Sequence, residues 1–132
     1  MADGQFMKKI KKIKYSWIQF EKDVAKLQKD LYTHIPFFKN VYGIPKGGLV
    51  LATTLAYRLG KPLITDPSKI TNKTLIVDDI SDTGNTLGNH TKKYPNYYLV
   101  VTLFIHKLTM FLPNYFYRFK KSDKEWVVMP WE

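Results

Sequence analysis

Apolar residues recur along this chain in two rhythms, short unbroken runs and longer stretches with an apolar side chain every third or fourth position. Residues 10–15 predict a short edge strand. Ser16 and Gln19 then have capping-box spacing, with Tyr15 and Phe20 placed as a hydrophobic staple, so a helix begins at Trp17. Its predicted buried stripe is Trp17, Phe20, Val24, Leu27 and Leu31, and it ends before Pro36, which restricts its predecessor. A strand over 40–44, a tight loop over 45–48 and an Ala- and Leu-rich helix over 49–59, stopped by Gly60, follow. Residues 61–64 read as a short strand and 65–68 as a turn cluster. A central strand over 73–79, a helix over 83–93 and a long apolar strand over 97–106 come next.

Strands alternating with helices over such short spans imply βαβ units, hence an α/β fold with a mostly parallel sheet and helices on both faces. In such sheets ligands collect at the carboxyl ends of the strands. Three polar features, at Pro45, Asp78 and Lys107, fall at strand ends, so one pocket can gather them.

The most informative run is TLIVDDISDTGNT, starting at Thr74. Leu75, Ile76 and Val77 form the continuous apolar run of a strand buried on both faces, and Ser81 to Thr86 supply turn and cap residues that open a helix. A helix start offers free amides and a partial positive charge to a phosphate. The hydroxyls of Ser81, Thr83 and Thr86 can add hydrogen bonds, Gly84 allows close approach, and Asp82 repels an anion unless its carboxylate points elsewhere. Asp78 and Asp79, at the strand end, suit a vicinal diol such as ribose or a hydrated Mg2+.

The chain has 132 residues, 45% of them hydrophobic, which fits one domain over 1–132 with a proper core. It has no run of eighteen uninterrupted apolar residues, and lysines stand near the amino terminus where a signal peptide needs an apolar core. A soluble cytoplasmic protein with no membrane partner is the expectation. The absence of cysteine excludes disulfides and thiolate chemistry, and the sequons at Asn72 and Asn89 are read as chance. His34, His90 and His106 share no metal-like spacing. A net charge of +10 suits a nucleic-acid binder and equally an enzyme that attracts a polyphosphate substrate, so charge alone leaves both open. A Gly-x-x-x-x-Gly-Lys-Ser/Thr loop is absent, which sets a P-loop nucleotidase aside.

The run from Thr74 resembles the phosphoribosyl-diphosphate (PRPP) motif of the type I phosphoribosyltransferases. VYGIPKGGLVLA, from Val41, looks like that family's pyrophosphate loop and following helix. VTLFIHK, from Val101, and EWVVMPWE, from Glu125, are similar to the purine-binding strand and closing segment of the xanthine-guanine and hypoxanthine enzymes, the 6-oxopurine phosphoribosyltransferases. The motifs keep the family's order over roughly residues 10–132.

The resemblance implies a type I fold with a small hood from the amino- and carboxyl-terminal segments, and transfer of phosphoribosyl from PRPP to a hypoxanthine, guanine or xanthine ring nitrogen. Asp78, Asp79, Asp82, Thr83, Gly84, Asn85 and Thr86 would hold PRPP; Lys46, Gly47 and Gly48 the pyrophosphate. Asp78 and Asp79 would carry Mg2+, directly or through water. Lys107 would donate to the 6-oxo group, Trp126 stack on the purine, and Val127 present backbone groups to its edge. Asp82 becomes the candidate acid–base residue near purine N7. Crowding by Asp78, Asp79 and phosphates favours a raised pKa there, and Mg2+ or a lysine opposes it. A homodimer is implied as well.

Members of the family carry a long closing loop before the PRPP strand, and residues 65–73 are too few for one. A neighbouring subunit or the segment 109–117 would have to cover the site, or turnover would be poor. The alternative is a PRPP- or nucleotide-binding regulator, or a basic-surface nucleic-acid-binding protein, with the same fold and little catalysis.

Overall fold

A computed structural model describes residues 9–132; the part of the amino-terminal reading that concerns residues 1–8 lies outside them. In chain order the strands and helices are β1 (Lys11–Lys14), α1 (Trp17–Leu31), β2 (Asn40–Gly43), α2 (Leu49–Leu59), β3 (Leu63–Ile64) and β4 (Thr74–Val77), then β5 (Ile80–Ser81), α3 (Asn85–Lys93), β6 (Leu99–Val101), β7 (Phe104–His106), β8 (Arg118–Lys120) and β9 (Glu125–Val128). The central sheet has the order β3-β2-β4-β6, parallel throughout.

Period-two alternation sorts its side chains into two layers. Val41, Leu75, Val77 and Val101 pack in one cluster with Leu27 of α1 and Leu51 and Leu55 of α2. Tyr42, Ile76 and Val100 face the other way and pack with Leu87 of α3. Both sheet faces are therefore covered, as the unbroken apolar runs predict.

The predicted capping box is present: Gln19 N donates to Ser16 Oγ at 3.1 Å and Ser16 N donates to Gln19 Oε1 at 2.9 Å. The stripe of α1 differs from expectation at one position. Trp17 is 52% exposed, while Asp23 is buried beside Phe20, Val24, Leu27 and Leu31. Asp23 tolerates burial because Tyr15 Oη and Arg118 Nε donate to its Oδ2 at 2.5 and 2.6 Å. Trp17 lies at the margin of this face, edge-on to Phe20.

Both long strands expected near the site are interrupted. The amides of Leu103 and Phe104 converge on the Asp79 carbonyl at 3.0 and 3.1 Å, so two residues oppose one and the 97–106 strand divides into β6 and β7. The 73–79 strand correspondingly stops at Val77 and resumes as β5, continuing the sheet in the order β5-β7-β8. Asp78 and Asp79 occupy the break. The helix predicted over 83–93 begins only at Asn85, because Gly84 has φ +92°, outside the helical region.

β1 pairs with β9 in parallel, Lys11 opposite Glu125 and Lys14 opposite Val128, which forms the expected hood from the two terminal segments. Between β3 and β4 the chain makes one 3₁₀ turn, Pro67–Lys69, with Asp66 Oδ1 accepting from Ser68 N at 2.9 Å. No long loop intervenes there. Among the described residues no helix is long and apolar enough to cross a membrane.

Candidate active site

The register that pairs Gly43 with Val77 brings the loop after β2 alongside the residues after β4. Gly47 lies against the Asp79 carboxylate, and a cavity of about 230 Å3 opens between this loop, the acidic break and the start of α3. Of the expected ligand residues, Asp78, Asp79, Asp82, Thr83, Gly84, Thr86 and Gly47 line it. Helix geometry leaves the amides of Thr86 and Leu87, both at this cavity, without intrahelical acceptors. Asn85 contributes differently: its amide donates to Thr83 Oγ1 at 3.1 Å.

The two carboxylates at the strand break are short of positive charge. Asp78 is 6% exposed, and burial first, then the adjacent Asp79, push its pKa up to about 9. Burial raises Asp79 also, with the Glu132 carboxylate adding a smaller repulsion. Asp78 Oδ1 accepts from Asp79 N and Asp79 Oδ1 from Ile80 N, each at 2.8 Å. Among the described residues no ion pair engages either.

Asp82 is different, because Lys120 Nζ donates to its Oδ2 at 2.8 Å. The sequence places Lys120 in a basic run near the carboxyl end, with nothing local to mark it. It reaches Asp82 only through the β5-β7-β8 pairing, where Ser81 sits opposite Ile105 and His106 opposite Lys120.

Ser81 also departs from expectation. Its buried hydroxyl donates to the Phe111 carbonyl at 2.8 Å and lies 2.8 Å from Thr109 Oγ1, so it ties down the segment after β7. Met110 N donates to Thr83 O at 2.9 Å, and the backbone of Met110 and Phe111 presses on Gly84. This stretch buttresses the α3 start from outside.

Lys46 is exposed on its loop and Gly48 is buried behind it. Lys107, one residue past β7, is exposed; Trp126 is 55% exposed and Val127 half-buried on β9. These last three do not line the cavity at Asp78: Lys107 follows the end of β7, and Trp126 and Val127 sit on the terminal hood. A second cavity of about 240 Å3, sharing Asp82 and Thr83 with the first, is walled by His106, Leu108, Met110 and Asp123.

This arrangement of a sheet broken at an acidic pair, a glycine loop beside it and a two-stranded terminal hood is the type I phosphoribosyltransferase fold, and the chain has it. Solved structures similar to it include purine phosphoribosyltransferases. One, from Pyrococcus horikoshii Ot3, is 26% identical with a TM-score of 0.75, covering 92% of this chain and 94% of that one. The Helicobacter pylori xanthine-guanine-hypoxanthine phosphoribosyltransferase is 19% identical with a TM-score of 0.73 over 92% and 94%. A hypothetical protein from Neisseria gonorrhoeae with bound ppGpp is 16% identical, with a TM-score of 0.71 over 93% and 90%. No protein-family model and no curated protein sequence matches the chain.

Proposed function

We propose that the chain transfers the 5-phosphoribosyl group from PRPP to a 6-oxopurine base, hypoxanthine, guanine or xanthine, as in purine salvage. The observation that carries this reading is the convergence of three separate segments, the 45–48 loop, Asp78 with Asp79, and the Asp82 to Thr86 turn, around one cavity. A purine ring nitrogen attacks C1′ of ribose, the bond from C1′ to the pyrophosphate oxygen breaks, and pyrophosphate leaves with that electron pair.

The α3 start, with Thr83, Gly84, Asn85 and Thr86, holds the 5′-phosphate, and Lys46, Gly47 and Gly48 hold the pyrophosphate. Asp78 and Asp79 hold the ribose hydroxyls. Their hard oxygens, lacking ion-pair partners among the described residues, also fit Mg2+ directly or through water. No group of three or more His, Cys, Asp or Glu side chains suited to a metal converges among the described residues, so substrate oxygens and water would complete its shell. Held by these two carboxylates, Mg2+ would supply positive charge beside the pyrophosphate.

Asp82 serves purine N7 as acid and base, and Lys107, Trp126 and Val127 receive the base from beyond the first cavity. The homodimer rests on the family resemblance.

A second reading, a nucleotide-binding regulator of the same fold, is favoured by the short 65–73 connection and by the ppGpp-bound relative. Calorimetric titration with PRPP and Mg2+, beside ppGpp, separates the two when paired with product detection. PRPP binding with formation of a nucleoside monophosphate supports the enzyme. Nucleotide binding with no product from any purine supports the regulator.

A further inference from the structure

Lys120 is 7% exposed, and among the described residues the one hydrogen-bond partner of its ammonium is Asp82 Oδ2. It comes from β8, the far strand of the β5-β7-β8 sheet. The backbones of residues 82 and 120 are therefore two strand spacings apart, about 10 Å, and the lysine stem crosses β7 to close that gap. A buried ammonium without an anion is strongly unfavourable, so the pair fixes both ends. The Asp82 side chain itself remains 39% exposed and borders both cavities. The neighbouring His106 does not compete for it: its Nδ1 accepts from Leu108 N at 3.0 Å, which leaves the proton on Nε2, directed at Asp123 Oδ1 at 3.0 Å.

We propose that Lys120 is a positioning residue, an anchor on the outer strand that holds the Asp82 carboxylate at the junction of the two cavities, where the ribose half and the base half of the reaction meet. The inference rests on the phosphoribosyl-transfer reading and deepens it. Asp82 stands in a turn of small residues one position past β5. Without an anchor its carboxylate has several staggered rotamers available. Among the described residues Asp82 forms its ion pair with Lys120, and neither Lys46 nor Lys107 pairs with it.

The test is steady-state kinetics on Lys120→Met, Lys120→Arg, Asp82→Asn and the double variant Lys120→Met with Asp82→Asn. Lys121→Met, exposed and one residue past β8, controls for the lost charge. Thermal unfolding monitors folding throughout, and Lys120→Gln carries the same test where Lys120→Met does not fold. The expected result is a kcat lower by about tenfold or more in Lys120→Met, with KM for PRPP within about threefold. Lys120→Arg recovers much of the rate, Lys121→Met keeps the wild-type rate, and the double variant is no slower than Asp82→Asn. An active wild type with unchanged kcat in Lys120→Met overturns the inference and leaves the proposed reaction standing. A rise in PRPP KM with unchanged kcat overturns it also, as does a double variant slower by the product of the single effects. A wild type inactive with every purine overturns the reaction, and the anchor with it.

Discussion

Gly47 lies flush against Asp79: a Cβ on this glycine would stand 2.6 Å from Asp79 Oδ2 and 2.7 Å from Oδ1. The contact joins the loop after β2 to the strand break after β4, and it exists only because residue 47 has no side chain. Gly47→Ala is expected to push the carboxylate aside and weaken binding of PRPP with Mg2+ by roughly 10- to 100-fold. Calorimetric titration reads the loss, and an unchanged affinity would separate Asp79 from the ligand.

Gly84 is constrained by its own backbone and by a neighbour. Its φ of +92° disfavours any L side chain, and a Cβ there would stand 2.5 Å from Phe111 N. Gly84→Ala is expected to lower unfolding free energy by about 1–3 kcal/mol, measured by urea denaturation. Phosphate affinity should fall with it, because Met110 and Phe111 buttress the loop through Thr83 and Ser81.

Two arginines at ion pairs should behave differently. Arg118 donates to Asp23, whose side chain is 1% exposed, whereas Arg58 pairs with an exposed Glu21. Arg118→Met leaves a buried carboxylate with Tyr15 as its remaining donor and is expected to cost about 3 kcal/mol. Arg58→Met should cost less than about 1 kcal/mol. Chemical denaturation of both variants checks the contrast, and equal losses would contradict the structural role given to Asp23.

His90 sets an acid limit on stability. It stacks on Tyr42, and both ring nitrogens are buried without hydrogen-bond partners among the described residues. Burial, helped by the Lys93 charge, lowers its pKa from 6.5. Below 6.5 the unfolded chain takes up a proton that the folded chain refuses, so stability falls as pH drops from 6.5 toward the folded-state value and is unaffected by this group at higher pH. In His90→Phe the stability curve between about pH 7 and 5 should be flatter than in the wild type, as followed by thermal melts. Equally steep curves would assign the acid loss to other groups.

Much of this arrangement is legible in the sequence because it is local. The run from Thr74 declares a buried strand, an acidic end and a helix start within one turn of chain, and the structure gathers them with Gly47 around one cavity. What stayed hidden depends on pairing between distant segments. Leu99 to Ile105 is apolar on either side of Thr102, so nothing in its pattern announces the bulge that divides it. Lys120 looks like any surface lysine until the β5-β7-β8 register points it at Asp82. Asp23 did leave a trace, an acid three residues after Phe20 and four before Leu27, inside the apolar stripe of α1. A charged residue on a buried helical face requires a partner, and here the partners are Tyr15 and Arg118.

Pyrophosphate release from PRPP in the presence of Mg2+, measured separately with guanine, hypoxanthine, xanthine and adenine, tests the central claim most directly. The account predicts release with at least one 6-oxopurine, formation of the matching nucleoside monophosphate, much slower reaction with adenine, and a sharp loss of turnover in Asp82→Asn with PRPP affinity largely kept. Tight PRPP binding with no pyrophosphate from any of the four bases would contradict it.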